Sequence, residues 1–133
     1  MCSSDLKADF EEIGHAQRLA DVMIEPNSRV TSYLAFQGGN TVGFLALSRE
    51  FSTWRARDYL HIDCLYVTEE MRGQGIGHRL IAAAIAQALE DGIIEIQWQT
   101  PKWNVDAIRF YHALGAIEKE KSRFILTVPI NYK

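Results

Sequence analysis

Residues Tyr59 to Trp98 set the strongest constraint on how this chain folds. They hold, in order, an apolar strand-like run (Tyr59–Val67), a polar glycine-rich stretch (Thr68–Gly75), a helix (Ile76–Glu90) and a second apolar run (Ile93–Trp98). Leu80, Ile81, Ala84, Ile85, Ala88 and Leu89 form one stripe along that helix. Asp91-Gly92 stops it, and Ile94, Ile96 and Trp98 fall on one face of the strand that follows. A strand–helix–strand unit of this kind forms a parallel pair with a right-handed crossover. The fold must therefore contain a sheet with a helix laid across it.

The flanking segments extend that unit. Asp5 to Glu25 predicts a helix with Leu6, Phe10, Ile13, Leu19 and Met23 on one face, divided by Gly14 and stopped at Pro26–Ser28. Val30–Phe36 and Thr41–Leu47 predict a hairpin around Gln37-Gly38-Gly39-Asn40. Both strands are apolar on both faces, as a strand buried on two sides would be. A loop around Ser52-Thr53 leads into the third strand. Asn104 caps a helix that runs to Leu114 and stops at Gly115. Phe124, Leu126, Val128 and Ile130 alternate along a last strand, Arg123–Ile130. The order α, β, β, β, α, β, α, β predicts a mixed α/β, largely antiparallel sheet flanked by helices, in one domain over residues 1–133.

Composition narrows the classes of function. Apolar residues make up 47% and charged residues 23%, which excludes a disordered or collagen-like chain. The formal charge of −3, from 14 Lys+Arg against 17 Asp+Glu, argues against a nucleic-acid partner. No apolar run reaches the ~18 residues of a membrane span, and no basic-then-apolar leader opens the chain. The expectation is a cytoplasmic protein without a membrane partner. Two cysteines, Cys2 and Cys64, are too few for a disulfide framework, and Cys64 reads as a buried core thiol. His15, His61, His78 and His112 show no ligand spacing, so no metal is expected.

The chemistry concentrates in Arg72-Gly73-Gln74-Gly75-Ile76-Gly77, which follows a strand and opens a helix. Glycines let several N–H groups converge, and the helix N-terminus favours an anion there. Arg72 and Arg79 add positive charge. A phosphate or pyrophosphate cradle accounts for this, and so does a plain tight turn. The dinucleotide fingerprint fails because His78 stands where it needs glycine, and the Gly-Lys-Ser/Thr of a P-loop is absent.

Val67 with Arg72–Gly77 resembles the acetyl-CoA motif R/Q-x-x-G-x-G/A of the GNAT superfamily of N-acetyltransferases. Trp103-Asn104 through Ala107, Phe110-Tyr111 and Gly115-Ala116 is similar to the family's Asn-x-x-Ala-x-x-Phe-Tyr-x-x-x-Gly segment. The resemblance covers Tyr33 to Val128. Phe51–Trp54, Asp63–Val67 and Trp103-Asn104 look most like the small-amine branch, which holds diamine and aminoalkylphosphonate acetyltransferases. It implies transfer of an acetyl group from acetyl-CoA, as cosubstrate, to a primary amine of a small molecule such as a polyamine or aminoglycoside.

The same resemblance implies roles for single residues. Tyr111 is the general acid for the departing thiolate, and Asp63 the base through water, with His61 as the other candidate. Leu65, Tyr66 and Val67 pair with the pantetheine arm, and the Leu65 N–H serves the thioester carbonyl. Arg72, Gly73, Gln74, Gly75, Ile76, Gly77, His78, Asn104, Ala107 and Tyr111 contact the cofactor. Trp54 reads as a hairpin-packing residue or as a cation–π face for the amine. A pocket ringed by Asp63, Glu50 and Asp58 would point to a diamine. Family members begin with a strand that finds no match before Asp5, which leaves a sheet edge for a partner and predicts a homodimer. A protein or peptide acetyltransferase and a CoA-binding module without turnover are the alternative functions.

Overall fold

The computed structural model describes residues 14–129. Helix α1 spans His15–Met23 and starts at Gly14, whose φ of 79° is left-handed. The part of the expected helix before Gly14 lies outside the described residues. Ser28 Oγ donates to the Val22 carbonyl at 2.7 Å and ties the following turn back to α1.

Strands β1 (Val30–Gln37) and β2 (Asn40–Ser52) form the expected hairpin. Its two-residue loop, Gly38-Gly39, has φ of 59° and 83°, the left-handed pair that matches the twist of the strands. β2 runs on to pair with β3 (Arg57–Val67) from Gly43↔Val67 to Ser52↔Arg57. The expected loop around Ser52-Thr53 shrinks to residues 53–56. β2 extends beyond the predicted Leu47 to Ser52, through the polar Ser48-Arg49-Glu50. A short 3-10 turn (Glu69–Met71) leads to helix α2 (Ile76–Glu90) and then β4 (Ile96–Gln97). Helix α3 covers Val105–Ala113. The sheet order is β1-β2-β3-β4, antiparallel until β4, which runs parallel to β3 as the strand–helix–strand pattern requires.

The core sits between the sheet and α2. Leu45, Leu47 and Ile62 are fully buried against Leu80, Ile81, Ala84 and Ala88. α2 ends in a Schellman pair, with Ile93 N–H on the Ala88 carbonyl and Gly92 N–H on Leu89. At Gly43, β2 lies tight against α2. A Cβ there would meet Ile76 Cγ2 and Leu80 Cδ1, each at 3.1 Å.

Several expectations are corrected. β1 is not buried on two faces: Tyr33 and Ala35 pack on the core, while Leu34 and Phe36 are exposed. The predicted stripe of α2 is too wide, since Ile85 and Leu89 face outward. The strand Ile93–Trp98 pairs only at Ile96 and Gln97, and Ile94 is exposed. The last strand does not form among the described residues: Phe124, Leu126 and Val128 are 90, 91 and 74% exposed. Alternation fixes which residues share a face, not whether a strand finds a partner. Ile130 lies outside the described residues. Cys64 is buried as expected but disulfide-bonded, so it is not a thiol. Too few cysteines for a framework does not exclude a single bond. Among the described residues no helix is long and apolar enough to cross a membrane.

Gly43→Ala is expected to destabilise the fold by about 1–3 kcal/mol, as overpacking of a closed core does. Urea unfolding followed by circular dichroism measures it, and an unchanged midpoint contradicts the packing described for β2 and α2.

Candidate active site

Two glycines shape the turn before α2. Gly73 and Gly75 have φ of 79° and 83°, which L residues with side chains rarely adopt. The first helical bond runs from Arg79 N–H to the Gly75 carbonyl at 3.1 Å, and no side chain caps the end. The amides before Arg79 are thus left to an outside acceptor at the positive end of the helix. Gly73, Gln74 and Gly75 are exposed. Arg72 is spent partly on structure: its Nε–H donates to the Val67 carbonyl at 3.0 Å, and its guanidinium lies 5.7 Å from the Tyr66 ring centroid.

The third glycine of the motif has another task. Gly77 has ordinary helical geometry, and a Cβ on it would stand 3.2 Å from Phe110 Cζ of α3. His78 also meets the Phe110 ring edge-on, at 4.9 Å between centroids. The glycine motif and the aromatic motif are therefore in direct contact.

Beside this turn the sheet comes apart. β3 and β4 pair at Leu60↔Ile96 and His61↔Gln97 and not beyond. At the next residue but one, Asp63, β3 has a bulge: Ala46 pairs with Cys64 and Leu47 with Ile62, which leaves Asp63 without a partner. Thr68 N–H donates to the Val42 carbonyl at 2.9 Å. Alternation along an antiparallel ladder then turns the N–H and C=O of Leu65 and Val67 away from β2, into the gap. The Val67 carbonyl accepts Arg72 there, as that parity requires. Leu65 keeps its edge for an extended ligand.

α3 closes the other wall. Asn104 caps it by accepting the Ala107 N–H at 3.4 Å. Tyr111 is buried, with its ring edge-on to Trp98 at 5.3 Å and to Phe110 at 5.6 Å. Trp98 is the residue just past the last pair of β4. A Schellman bond from Ala116 N–H to the Tyr111 carbonyl, 3.2 Å, fixes the end of the helix. Burial pushes the Tyr111 phenol up to about 12, so it carries its proton throughout the neutral range.

The structure joins Val67 to Arg72, and Gly77 and His78 to Phe110, whose neighbour Tyr111 packs on Trp98. It does not bring the carboxylates together. Asp63 is exposed at the bulge. Asp58 lies five residues back, roughly 16 Å along the strand, and is held by Arg49 Nε at 2.9 Å. Glu50 accepts from Ser48 Oγ at 3.0 Å. The ring of Asp63, Glu50 and Asp58 that would point to a diamine does not form. His61 lies in the ladder opposite Ser48. Trp54 is 96% exposed in the turn before β3, so it packs on nothing, and Arg57–Val67 separates it from the glycine turn by about 30 Å. Two features were missed at the sequence level. Thr100 Oγ1 is buried without a partner in the segment between β4 and α3, and the bulge itself has no sequence signal. Among the described residues no three His, Cys, Asp or Glu side chains gather as a metal site would require.

The profile of the acetyltransferase (GNAT) family matches residues 2–116. The chain belongs to the GNAT acetyltransferase family. It is 36% identical to thialysine N-epsilon-acetyltransferase of Bos taurus over 80 residues, 60% of this chain and 46% of that protein. It is 31% identical to an L-ornithine N5-acetyltransferase of Arabidopsis thaliana over 74 residues, 56% of this chain and 32% of that one. It thus spans about half or less of the length of these relatives. The crystal structure of an aminoglycoside acetyltransferase from an uncultured soil metagenomic sample, in complex with trehalose, superposes with a TM-score of 0.81 at 21% identity. That superposition covers 96% of this chain and 84% of the other, and it shows the shared fold.

Gly77→Ala is expected to lower stability by about 1–3 kcal/mol, since the new methyl meets a ring. Phe110→Leu in the same chain is expected to restore part of the loss, which a double-mutant cycle of unfolding midpoints measures. Tyr111 gives a second test. Its raised pKa means that the unfolded chain releases this proton first, near 10, and the folded one near 12. Its contribution is complete below pH ~10 and is lost as pH rises towards ~12. Tyr111→Phe should flatten that part of the stability–pH curve.

Proposed function

We propose that the protein transfers an acetyl group from acetyl-CoA to a primary amine of a small molecule. One observation carries this reading. An anion-receptive turn, an unpaired strand edge and a protonated phenol meet at the same end of the sheet.

In this reading the turn Arg72–His78 takes the pyrophosphate of acetyl-CoA on its free amides, and Arg79 adds charge. The pantetheine arm enters the gap between β3 and β4 and pairs with Leu65 and Val67. Tyr66 lies between them with its backbone turned to β2 by the same parity and its ring beside the Arg72 guanidinium, and Asn104 and Ala107 border the arm from α3. The donors supply binding, and the Leu65 N–H also stabilises the oxyanion. The free amine nitrogen attacks the thioester carbonyl carbon. As the tetrahedral intermediate collapses, the C–S bond breaks and the Tyr111 hydroxyl gives its proton to the sulfur. The attacking nitrogen loses its extra proton through water to Asp63, the exposed carboxylate on the bulge. A pKa raised by burial keeps Tyr111 in the acid form that this step uses.

The acceptor class follows from the relatives, named for thialysine, L-ornithine and aminoglycosides. The separated carboxylates give no support to a diamine in particular. A homodimer belongs to the same proposal, supported by the exposed Leu34 and Phe36 on the edge strand β1.

Calorimetric titration with acetyl-CoA, followed by a thiol-release assay over an amine panel, tests the reading. Micromolar binding with turnover is expected, and absence of binding overturns it. Tyr111→Phe is expected to lower kcat by about 10²–10⁴ while acetyl-CoA affinity stays unchanged. An unaltered rate removes Tyr111 from the acid's role.

A further inference from the structure

We propose that the cavity at the C-terminal end of α2 binds a small zwitterion, an α-amino acid with a short side chain. The proposal does not depend on the acetyl-transfer chemistry. The length of α2, roughly 22 Å for its fifteen residues, lies between this cavity and the glycine turn.

The cavity exists because the sheet outruns the helix. Past Leu47 and Leu60 the ladder of β2 and β3 runs on to Ser52 and Arg57, whereas α2 stops at Glu90. The space left has a volume of about 210 Å³. Leu47 and Leu60, both buried, form its floor, and the rest of its lining is polar.

Its walls carry opposite charges. Arg29 and Arg49 flank the last pair of the β1–β2 ladder, Val30↔Ser48, and both line the cavity. Like charges facing each other across a ladder repel. Arg49 has acids to answer it: its Nε–H donates to Asp58 at 2.9 Å, and its guanidinium stands 4.0 Å from Asp91. Arg29 has no acidic partner among the described residues. A guanidinium with its donors unused, next to a second one, is a receptor for a carboxylate.

The facing wall is negative. Asp91 caps the C-terminal end of α2, whose carbonyls add partial negative charge, and no basic residue stands in the last turn. Gln87 fixes the carboxylate in place. Its Nε2 donates to Asp91 Oδ2 at 3.0 Å, and its Oε1 accepts the Tyr33 hydroxyl at 2.8 Å. Burial first, and then the charges of Glu90 and Asp91, hold the Tyr33 phenol above its ordinary range, so it stays a donor. Asp91 Oδ1 takes no hydrogen bond among the described residues, which leaves it for an ammonium. An anion alone would meet Asp91, and a cation alone would meet Arg29. A molecule with both charges attached to one carbon satisfies both walls. The walls approach to 4.0 Å at Arg49 and Asp91, so a short molecule reaches both. The small volume and polar lining select a short side chain.

Amide spectra of the ¹⁵N-labelled full chain, recorded as L-alanine is added to about 50 mM, test the proposal at the affinity of a millimolar site. Propionate, ethylammonium and inorganic phosphate are titrated in parallel. The amides of Arg29, Thr31, Gln87 and Gly92 are expected to shift along one saturation curve with L-alanine. Propionate and ethylammonium, each lacking one charge, are expected to bind about tenfold more weakly or worse. Arg29→Ala, at an exposed position without an acidic partner, is expected to leave the rest of the spectrum in place and to weaken L-alanine by a similar factor. Asp91→Asn should weaken L-alanine and not propionate. Propionate or phosphate binding as tightly as L-alanine overturns the zwitterion in favour of a plain anion site. Shifts confined to Leu65 and Gly73–His78 overturn the second site, since the amino acid then binds only at the acetyl-transfer end. Unchanged spectra overturn it as well.

Discussion

The contact between Gly77 and Phe110 holds the functional end of this molecule together. The ring stands where a side chain on Gly77 would be. This lets α3 approach the first turn of α2 and places Tyr111, the next residue, against Trp98. One glycine thereby sets the distance between the N-terminal end of α2 and a buried phenol. The neighbouring glycines act through backbone conformation instead: Gly73 and Gly75 take left-handed φ values that free the amides of the turn. A motif that looks like three equivalent glycines is two conformational devices and one packing device.

The second element is the place where the sheet stops being a sheet. Two parallel pairs hold β3 to β4, and then the bulge at Asp63 coincides with their separation. A bulge increases local twist and ends pairing on a strand. Past it, the parity of the ladder turns Leu65 and Val67 towards the gap, where unpaired backbone groups invite an extended ligand. In a closed sheet the same groups would be satisfied by a neighbouring strand and no ligand arm would fit.

Much of this was legible in the sequence. The hairpin, the parallel β3–β4 pair, the cap at Asn104 and the stop at Gly115 follow from local rules about turns, periodicity and capping. The glycine turn and the position of Tyr111 were legible through the spacing of two motifs. What stayed hidden depends on contacts between distant segments. Gly77 needs Phe110 before its role appears. The bulge at Asp63 is a mismatch between two strands, invisible in either one. Whether Asp58 and Asp63 share a pocket is equally hidden, since a strand spreads residues near in sequence along its length. The final apolar alternation predicts a strand that does not form among the described residues, because alternation says nothing about where a partner is.

The central claim is that the turn Arg72–His78 and the open edge of β3 form one binding site. Amide chemical shifts of the ¹⁵N-labelled protein, recorded as CoA is added, test it most directly. The account predicts that Gly73–His78 and the N–H groups of Leu65 and Val67 shift together along one saturation curve. Perturbations confined to the polar cavity bordered by Ser28, Arg49 and Asp91, at the far end of α2, would contradict it. So would an unchanged spectrum.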